Sequence, residues 1–225
     1  MVSSSPDNTN SSGDSYFTAD NPLAPQCKIV KTNGGAMRFL PVTPERAVEL
    51  SFKLAKLIKE SGYKFDVIVS IHRGGMVISR LLSDYLDVRD IRAIRVEHYS
   101  AVEKGESARV VEPISRKLNG EKVLLVDDVA DTGESLRVAR EYLLSMGASE
   151  VRIATLHYKP WSSVKPEYFV EQTDKWVVYF WERAETAKYL RDKLKKDGIC
   201  EAEINRILEE EAGIPDYIID WVTRG

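Results

Sequence analysis

The stretch KVLLVDDVADTGESL, at 122–136, leaves a chain few ways to fold. Residues 122–126 are almost all apolar and rich in β-branched types, which suits a strand buried on both faces of a parallel sheet. Asp127 and Asp128 stand where such a strand leaves the sheet, and Asp131, Thr132, Gly133, Glu134 and Ser135 then turn into the helical pattern Leu136, Val138, Ala139, Tyr142, Leu143. In open α/β sheets the crevice at the carboxyl ends of the strands takes the ligand. A small-residue loop that opens a helix offers its free N–H groups to a phosphate. Paired acids beside such a loop suit a sugar that carries neighbouring hydroxyls and a phosphate, such as ribose 5-phosphate. The plainer reading is a strand end with solubilising carboxylates before an N-capped helix.

The same grammar appears earlier in the chain. A buried strand is expected over 65–71, followed by His72, Arg73, Gly74 and Gly75 and then the helical pattern Val77, Ile78, Leu81, Leu82, Tyr85. Two glycines after an arginine let backbone N–H groups approach an anion closely while the guanidinium binds it bidentately. Upstream, Thr43, Pro44 and Glu45 supply an N-cap, a first helical residue with preset φ and an acid at the positive end of the dipole. Ala47, Val48, Leu50, Leu54, Leu57 and Ile58 follow at helical spacing up to Gly62.

Further strands are expected over 91–96, 151–157, 168–170 and 176–180. Residues 101–120 are polar and weakly patterned apart from a β-like piece at 109–111, which is long for a loop without function. Lys159 follows the strand over 151–157, and Trp176, Val177, Trp181 and Glu182 close the region.

The 122–136 stretch resembles the phosphoribosyl pyrophosphate signature of the type I phosphoribosyltransferases. The resemblance implies that Asp127 and Asp128 hold the ribose hydroxyls, that the loop of Ala130, Asp131, Thr132, Gly133, Glu134 and Ser135 wraps the 5-phosphate, and that Asp131 is the acid/base at purine N7. His72, Arg73, Gly74 and Gly75 then correspond to the pyrophosphate loop, whose His72–Arg73 peptide is expected to be cis. Tyr99 and Ser100 would begin a mobile loop that closes over the site. The run KPWSSVKPEYFVEQTDKWVV is similar to the xanthine-guanine type. That similarity implies a purine site in which Lys159 donates to the oxygen at C6, Trp176 stacks on the base, Val177 offers backbone groups and Glu182 lies nearby. Phe180 stands where the pattern has proline.

The fold so implied is α/β: a mostly parallel sheet flanked by helices, with a small hood and a C-terminal helical appendage. The implied reaction joins phosphoribosyl pyrophosphate to a free purine base, giving a nucleoside monophosphate and pyrophosphate in purine salvage. A 6-oxopurine is expected, with adenine as the alternative on the same fold. Mg2+ is expected on Asp127, Asp128 and Glu182, partly through water, because a hard cation suits adjacent anionic oxygens. The rival is a non-catalytic regulator that senses phosphoribosyl pyrophosphate.

Residues 1–36 read as a flexible N-terminal extension rich in Ser, Asn, Asp, Pro and Gly, with too little apolar surface to offset ordering; Met37 is a second candidate start. The catalytic domain is expected over 37–182. The appendage, over 183–225, carries the stripes Ala187, Leu190, Leu194 and Ile204, Ile207, Leu208, which are too short to hold as helices unless they pack on something. A formal net charge of −3 gives no global attraction to nucleic acid or to an anionic membrane, so anion recognition must be local. No partner of either kind is expected, whereas a homodimer or higher homo-oligomer is, in the cytoplasm. Cys27 and Cys200 lack metal-ligand spacing and read as free thiols.

Overall fold

The computed structural model describes residues 37–101 and 105–224, and the side chains of all of these except those at 98–101 and 105–107. The extension expected over 1–36 lies outside the described residues.

Two sheets form. The smaller pairs β1 (Phe39–Val42) in parallel with β8 (Trp176–Tyr179). The larger has the order β4-β3-β2-β5-β6-β7, with β2 at Val67–His72, β3 at Ile91–Ala101, β4 at Gly105–Glu112, β5 at Lys122–Ala130, β6 at Glu150–Tyr158 and β7 at Tyr168–Gln172. Every neighbour pair in it is parallel except β3 with β4. The chain steps from β2 to β3 on one side and returns to place β5 on the other side of β2, so the order reverses between β2 and β5. That switch point is where open α/β sheets hold ligands, and both glycine-bearing turns emerge there.

Helices cover both faces, and the apolar runs of β2 and β5 follow from that. Ile68, Leu124 and Val126 pack with Leu50, Leu54, Ile58, Ile78 and Leu82 of α1 (Pro44–Glu60) and α2 (Gly75–Leu86). Val67, Val69, Val123 and Leu125 face the other way, toward Leu136, Ala139 and Leu143 of α3 (Glu134–Ser145). The expected cap of α1 is present: Thr43 Oγ1 accepts from Arg46 N at 3.2 Å.

Three expectations are corrected. Among the described residues, 101–120 is not all loop: β4 covers 105–112 and pairs antiparallel with β3, Tyr99 opposite Ser107 and Ser100 opposite Glu106. An edge hairpin with little apolar covering carries no alternating pattern, so cross-strand pairing decides its structure. Their placement makes Tyr99 and Ser100 strand residues, and their side chains lie outside the described set. β1 lacks any sequence signal because four residues suffice once β8 offers a partner. Cys200, just before α5 (Glu201–Arg206), is disulfide-bonded and not a free thiol; spacing along the chain says nothing about a thiol's partner across a fold. Cys27 lies outside the described residues.

The C-terminal segment packs as its stripes require. Ala187, Leu190 and Leu194 of α4 (Arg183–Lys196), Ile204 and Leu208, and Ile219 of α6 (Asp216–Arg224) form a third core with Val178 of β8. Phe39 and Trp176 of the small sheet pack against it. The hood and the appendage therefore share one core. Among the described residues no helix is long and apolar enough to cross a membrane.

Candidate active site

Three hollows adjoin at the carboxyl ends of β2 and β5. The first, about 430 Å³, is lined by His72, Arg73, Gly74, Asp127, Asp128, Ser135, Trp181, Glu182 and Glu185 among others. The second, about 260 Å³, is lined by Asp127, Val129, Asp131, Thr132, Gly133, Ser135 and Leu136. The third, about 530 Å³, includes Met37, Arg38, Asp131, Lys159, Trp161, Asp174, Trp176, Val177 and Glu182. Asp127 and Ser135 are shared by the first and second, Val129 and Asp131 by the second and third, and Glu182 by the first and third. One extended ligand can occupy all three.

Gly74 lines the first hollow while Gly75, expected beside it, is buried behind, and close packing requires both. A Cβ at Gly74 would fall on the Asp128 carboxylate, and one at Gly75 on the Val126 carbonyl. The His72–Arg73 peptide is cis, as expected. Arg73 is exposed and pairs with Glu185 in the first turn of α4, so its guanidinium stands at the rim.

In the second hollow Gly133, at φ +86°, opens α3, whose first N–H groups face the loop. Two residues expected in this loop do not line it. Ala130 is fully buried in the core behind, because β5 continues to pair with β6 through Ala130 and turns that side chain inward. Glu134 chelates Arg137 along α3, at 2.7 and 3.1 Å.

Asp127 and Asp128 lie within β5, one residue pair deeper in the sheet than a strand ending at 126 would put them. Asp128 is 7% exposed. Its main-chain carbonyl accepts from Tyr179 Oη at 2.8 Å, and its Oδ2 accepts from Trp181 Nε1 at 3.4 Å. Burial pushes the Asp128 carboxyl up to about 6, with the Trp181 hydrogen bond opposing. Burial and then the Asp128 charge push Asp127 well up. Burial, then the Asp128 charge, raise Glu182 to about 7. Site-making thus costs stability. Glu182 holds its proton more tightly folded than unfolded, so its contribution is lost as pH rises from its ordinary value of about 4.5 through about 7. Glu182→Gln, without ligands, is expected to gain stability over the natural protein through that window and plateau above it, at about 1–3 kcal/mol. A difference independent of pH between 4.5 and 7.5, measured by thermal unfolding, would count against this electrostatic origin.

In the third hollow Lys159 is 5% exposed and donates to the Lys175 carbonyl. Burial lowers its pKa, while Asp131 and Asp174 pull it back up. Trp176 lines the hollow and packs on Tyr189 of α4, ring centroids 5.4 Å apart. Phe180, in place of the expected proline, stands edge-on to Trp181, which stacks on Tyr179 at 4.7 Å. Three lining residues are not foreshadowed by the sequence pattern. Arg38 and Met37 arrive just ahead of the unexpected β1, and Trp161 sits two residues past Lys159, with that nearness its one sequence signal.

Among the described residues no three His, Cys, Asp or Glu side chains converge into a metal cage. Asp127, Asp128 and Glu182 are therefore no ready-made ligand set, and a cation there would draw part of its coordination from a bound ligand or water.

The chain belongs to the phosphoribosyl transferase domain family, whose sequence model matches residues 43–185; these enzymes move a pentosyl group. A xanthine-guanine phosphoribosyltransferase of Nitratidesulfovibrio vulgaris is 29% identical over 148 residues, which is 64% of this chain and 85% of that one. An orotate phosphoribosyltransferase of Sulfurimonas denitrificans is 33% identical over 113 residues, 50% of this chain and 52% of that one. Among solved structures, a purine phosphoribosyltransferase from Pyrococcus horikoshii aligns with a TM-score of 0.59 at 38% identity, covering 64% of this chain and 94% of that one.

Proposed function

We propose that this chain transfers the phosphoribosyl group of phosphoribosyl pyrophosphate to a 6-oxopurine, hypoxanthine or guanine and by extension xanthine, giving a nucleoside monophosphate and pyrophosphate. The observation that carries this reading is the sharing of walls among the three hollows. The first hollow, with Arg73 and Gly74, takes the pyrophosphate; the second, at the start of α3, takes the 5-phosphate. Asp127 and Asp128 between them take the ribose hydroxyls. The third hollow takes the base. The purine and xanthine-guanine enzymes among the relatives support a purine over the pyrimidine of the orotate relative.

The chemistry assigned to the chain's own groups is positional and electrostatic. Asp131, shared by the phosphate and base hollows, takes or holds the N7 proton as the purine becomes a nucleophile. Arg73 leaves Glu185 to stabilise the departing pyrophosphate. Mg2+ fits the site on charge, since the Asp128 carboxylate raises the proton affinity of both Asp127 and Glu182 and a cation would relieve that repulsion. Bound there with substrate oxygens, it would neutralise the pyrophosphate. The cytoplasm is the compartment proposed for this reaction.

Lys159 decides between bases. Its ammonium can donate to an oxygen at C6, whereas adenine presents an amino group that only donates. The Lys175 carbonyl takes one of its three N–H groups, and a base that leaves the others unpaired in the hollow is disfavoured by about 1–3 kcal/mol. The test is the specificity constant for each purine, and for orotate, with phosphoribosyl pyrophosphate and magnesium. Hypoxanthine and guanine are expected to exceed adenine by at least about tenfold, and Lys159→Ala to erode most of that ratio. Better use of adenine would overturn the base assignment and leave the transferase. Tight duplex binding with no nucleotide formed from any base would favour the regulator.

A further inference from the structure

The turn that follows β6 is fastened to the loop containing Asp131 on both sides of that residue. Lys159 N donates to the Ala130 carbonyl at 2.9 Å, just before Asp131. Just after it, the Thr132 carbonyl accepts from Ser163 N at 2.9 Å and from Ser163 Oγ at 2.8 Å. Inside the turn Ser162 N donates to the Lys159 carbonyl at 3.0 Å and Ser162 Oγ to the Val164 carbonyl at 3.0 Å. Gly133 completes the seam, since any Cβ there would meet Val164 N and the hydroxyls of Ser162 and Ser163. A turn pinned at this many points holds its side chains in a fixed relation to Asp131.

The side chain so held is Trp161. Its Nε1 donates to Asp131 Oδ1 at 3.1 Å. Lys159 Nζ lies 5.3 Å from its ring centroid, within the range of a cation–π contact. The indole lines the base hollow with Asp131, Lys159 and Trp176, yet it is 56% exposed. A broad flat ring half exposed in the wall of a cleft is free to cover a planar partner there. It therefore touches both groups that the proposed reaction assigns to the base, the acid/base and the C6 donor, while belonging to neither role.

We propose that Trp161 is a positioning and specificity-determining residue of this site: its N–H holds one oxygen of Asp131 so that the other faces the base, and its ring walls the cleft for a two-ring base. The inference rests on the phosphoribosyl-transfer reading. A carboxylate tethered at one oxygen loses rotational freedom before the substrate arrives, which is where oriented catalysis gains. The ring contributes area to a fused bicyclic base that a single-ring base cannot cover.

The two parts separate by substitution. Trp161→Phe keeps a ring and removes the N–H; kcat with hypoxanthine or guanine is expected to fall roughly 10-fold or more, while KM for the base stays within about threefold. Trp161→Ala removes both, and is expected to raise KM for the base by about 10-fold as well. KM for phosphoribosyl pyrophosphate should move little in either variant. In an Asp131→Asn background Trp161→Phe should cost almost nothing further, because the group it positions has lost its chemistry. Wild-type kcat in Trp161→Phe, equal losses in both substrates' KM, or full additivity with Asp131→Asn would each overturn the proposal while leaving the transferase standing. A natural protein that forms no nucleotide from any base would sink the functional reading and this one together. If Trp161→Ala fails to fold, Trp161→Phe with an unchanged unfolding midpoint decides the question.

Discussion

Asp131→Asn is expected to lower kcat by roughly 10² to 10⁴-fold, the range for loss of a general acid–base group, with both substrates' KM changed by no more than a few-fold. Asparagine is nearly isosteric, and its side-chain oxygen can still accept from Trp161 Nε1, which now donates to Asp131 Oδ1 at 3.1 Å. The loop should therefore keep its shape. What asparagine cannot do is take a proton from, or hold one at, an atom in the third hollow, which Asp131 lines. Steady-state kinetics with saturating phosphoribosyl pyrophosphate separates the two. Turnover near that of the natural protein would reduce Asp131 to a loop former.

Gly133→Ala is expected to act on both binding and stability. The residue sits at φ +86°, a conformation that costs an L-residue about 1–2 kcal/mol. Its new Cβ would meet Val164 N at 2.6 Å and Ser163 Oγ at 2.7 Å, so the phosphate loop and the turn after β6 must part. Overall destabilisation of about 2–4 kcal/mol is expected, together with a roughly 10 to 100-fold rise in KM for phosphoribosyl pyrophosphate as the α3 N–H groups lose their aim at the 5-phosphate. Thermal unfolding and KM measured on the same variant check both halves. A lower melting temperature with an unchanged KM would mean that the second hollow does not take the phosphate.

The parts of this site that were legible in the sequence are those where backbone and chemistry make the same demand. Asp127 and Asp128 stand out because a strand buried on both faces has no other reason for two acids, and Gly74 and Gly75 because they follow an arginine, although it is packing against Asp128 and Val126 that excludes a side chain there. Local pattern fails where a partner elsewhere in the chain sets the structure. β1 exists because β8 is beside it, and the β3–β4 hairpin because its two strands pair, so neither leaves a period in the sequence. Ala130 and Glu134 belong to the signature stretch, but extension of β5 turns one inward and Arg137 draws the other along α3. Trp161 looks ordinary in the sequence because a tryptophan is usually core, and only its placement against Asp131 across 30 positions of chain gives it work.

Glu182 is both a wall of two hollows and the N-cap of α4, and the same helix supplies Glu185 to Arg73 and Tyr189 to Trp176. The family match ends at residue 185, one turn into that helix. Severing the polypeptide there would strip Val178 and Trp176 of the side chains that cover them and leave the Glu182 carboxylate at a frayed end. The tail is thus no ornament that a lineage could shed by a single stop codon; the hood would first have to be rewritten to stand in water. The wall of the third hollow thus rests on a core that reaches as far down the chain as Ile219, the last of its buried residues.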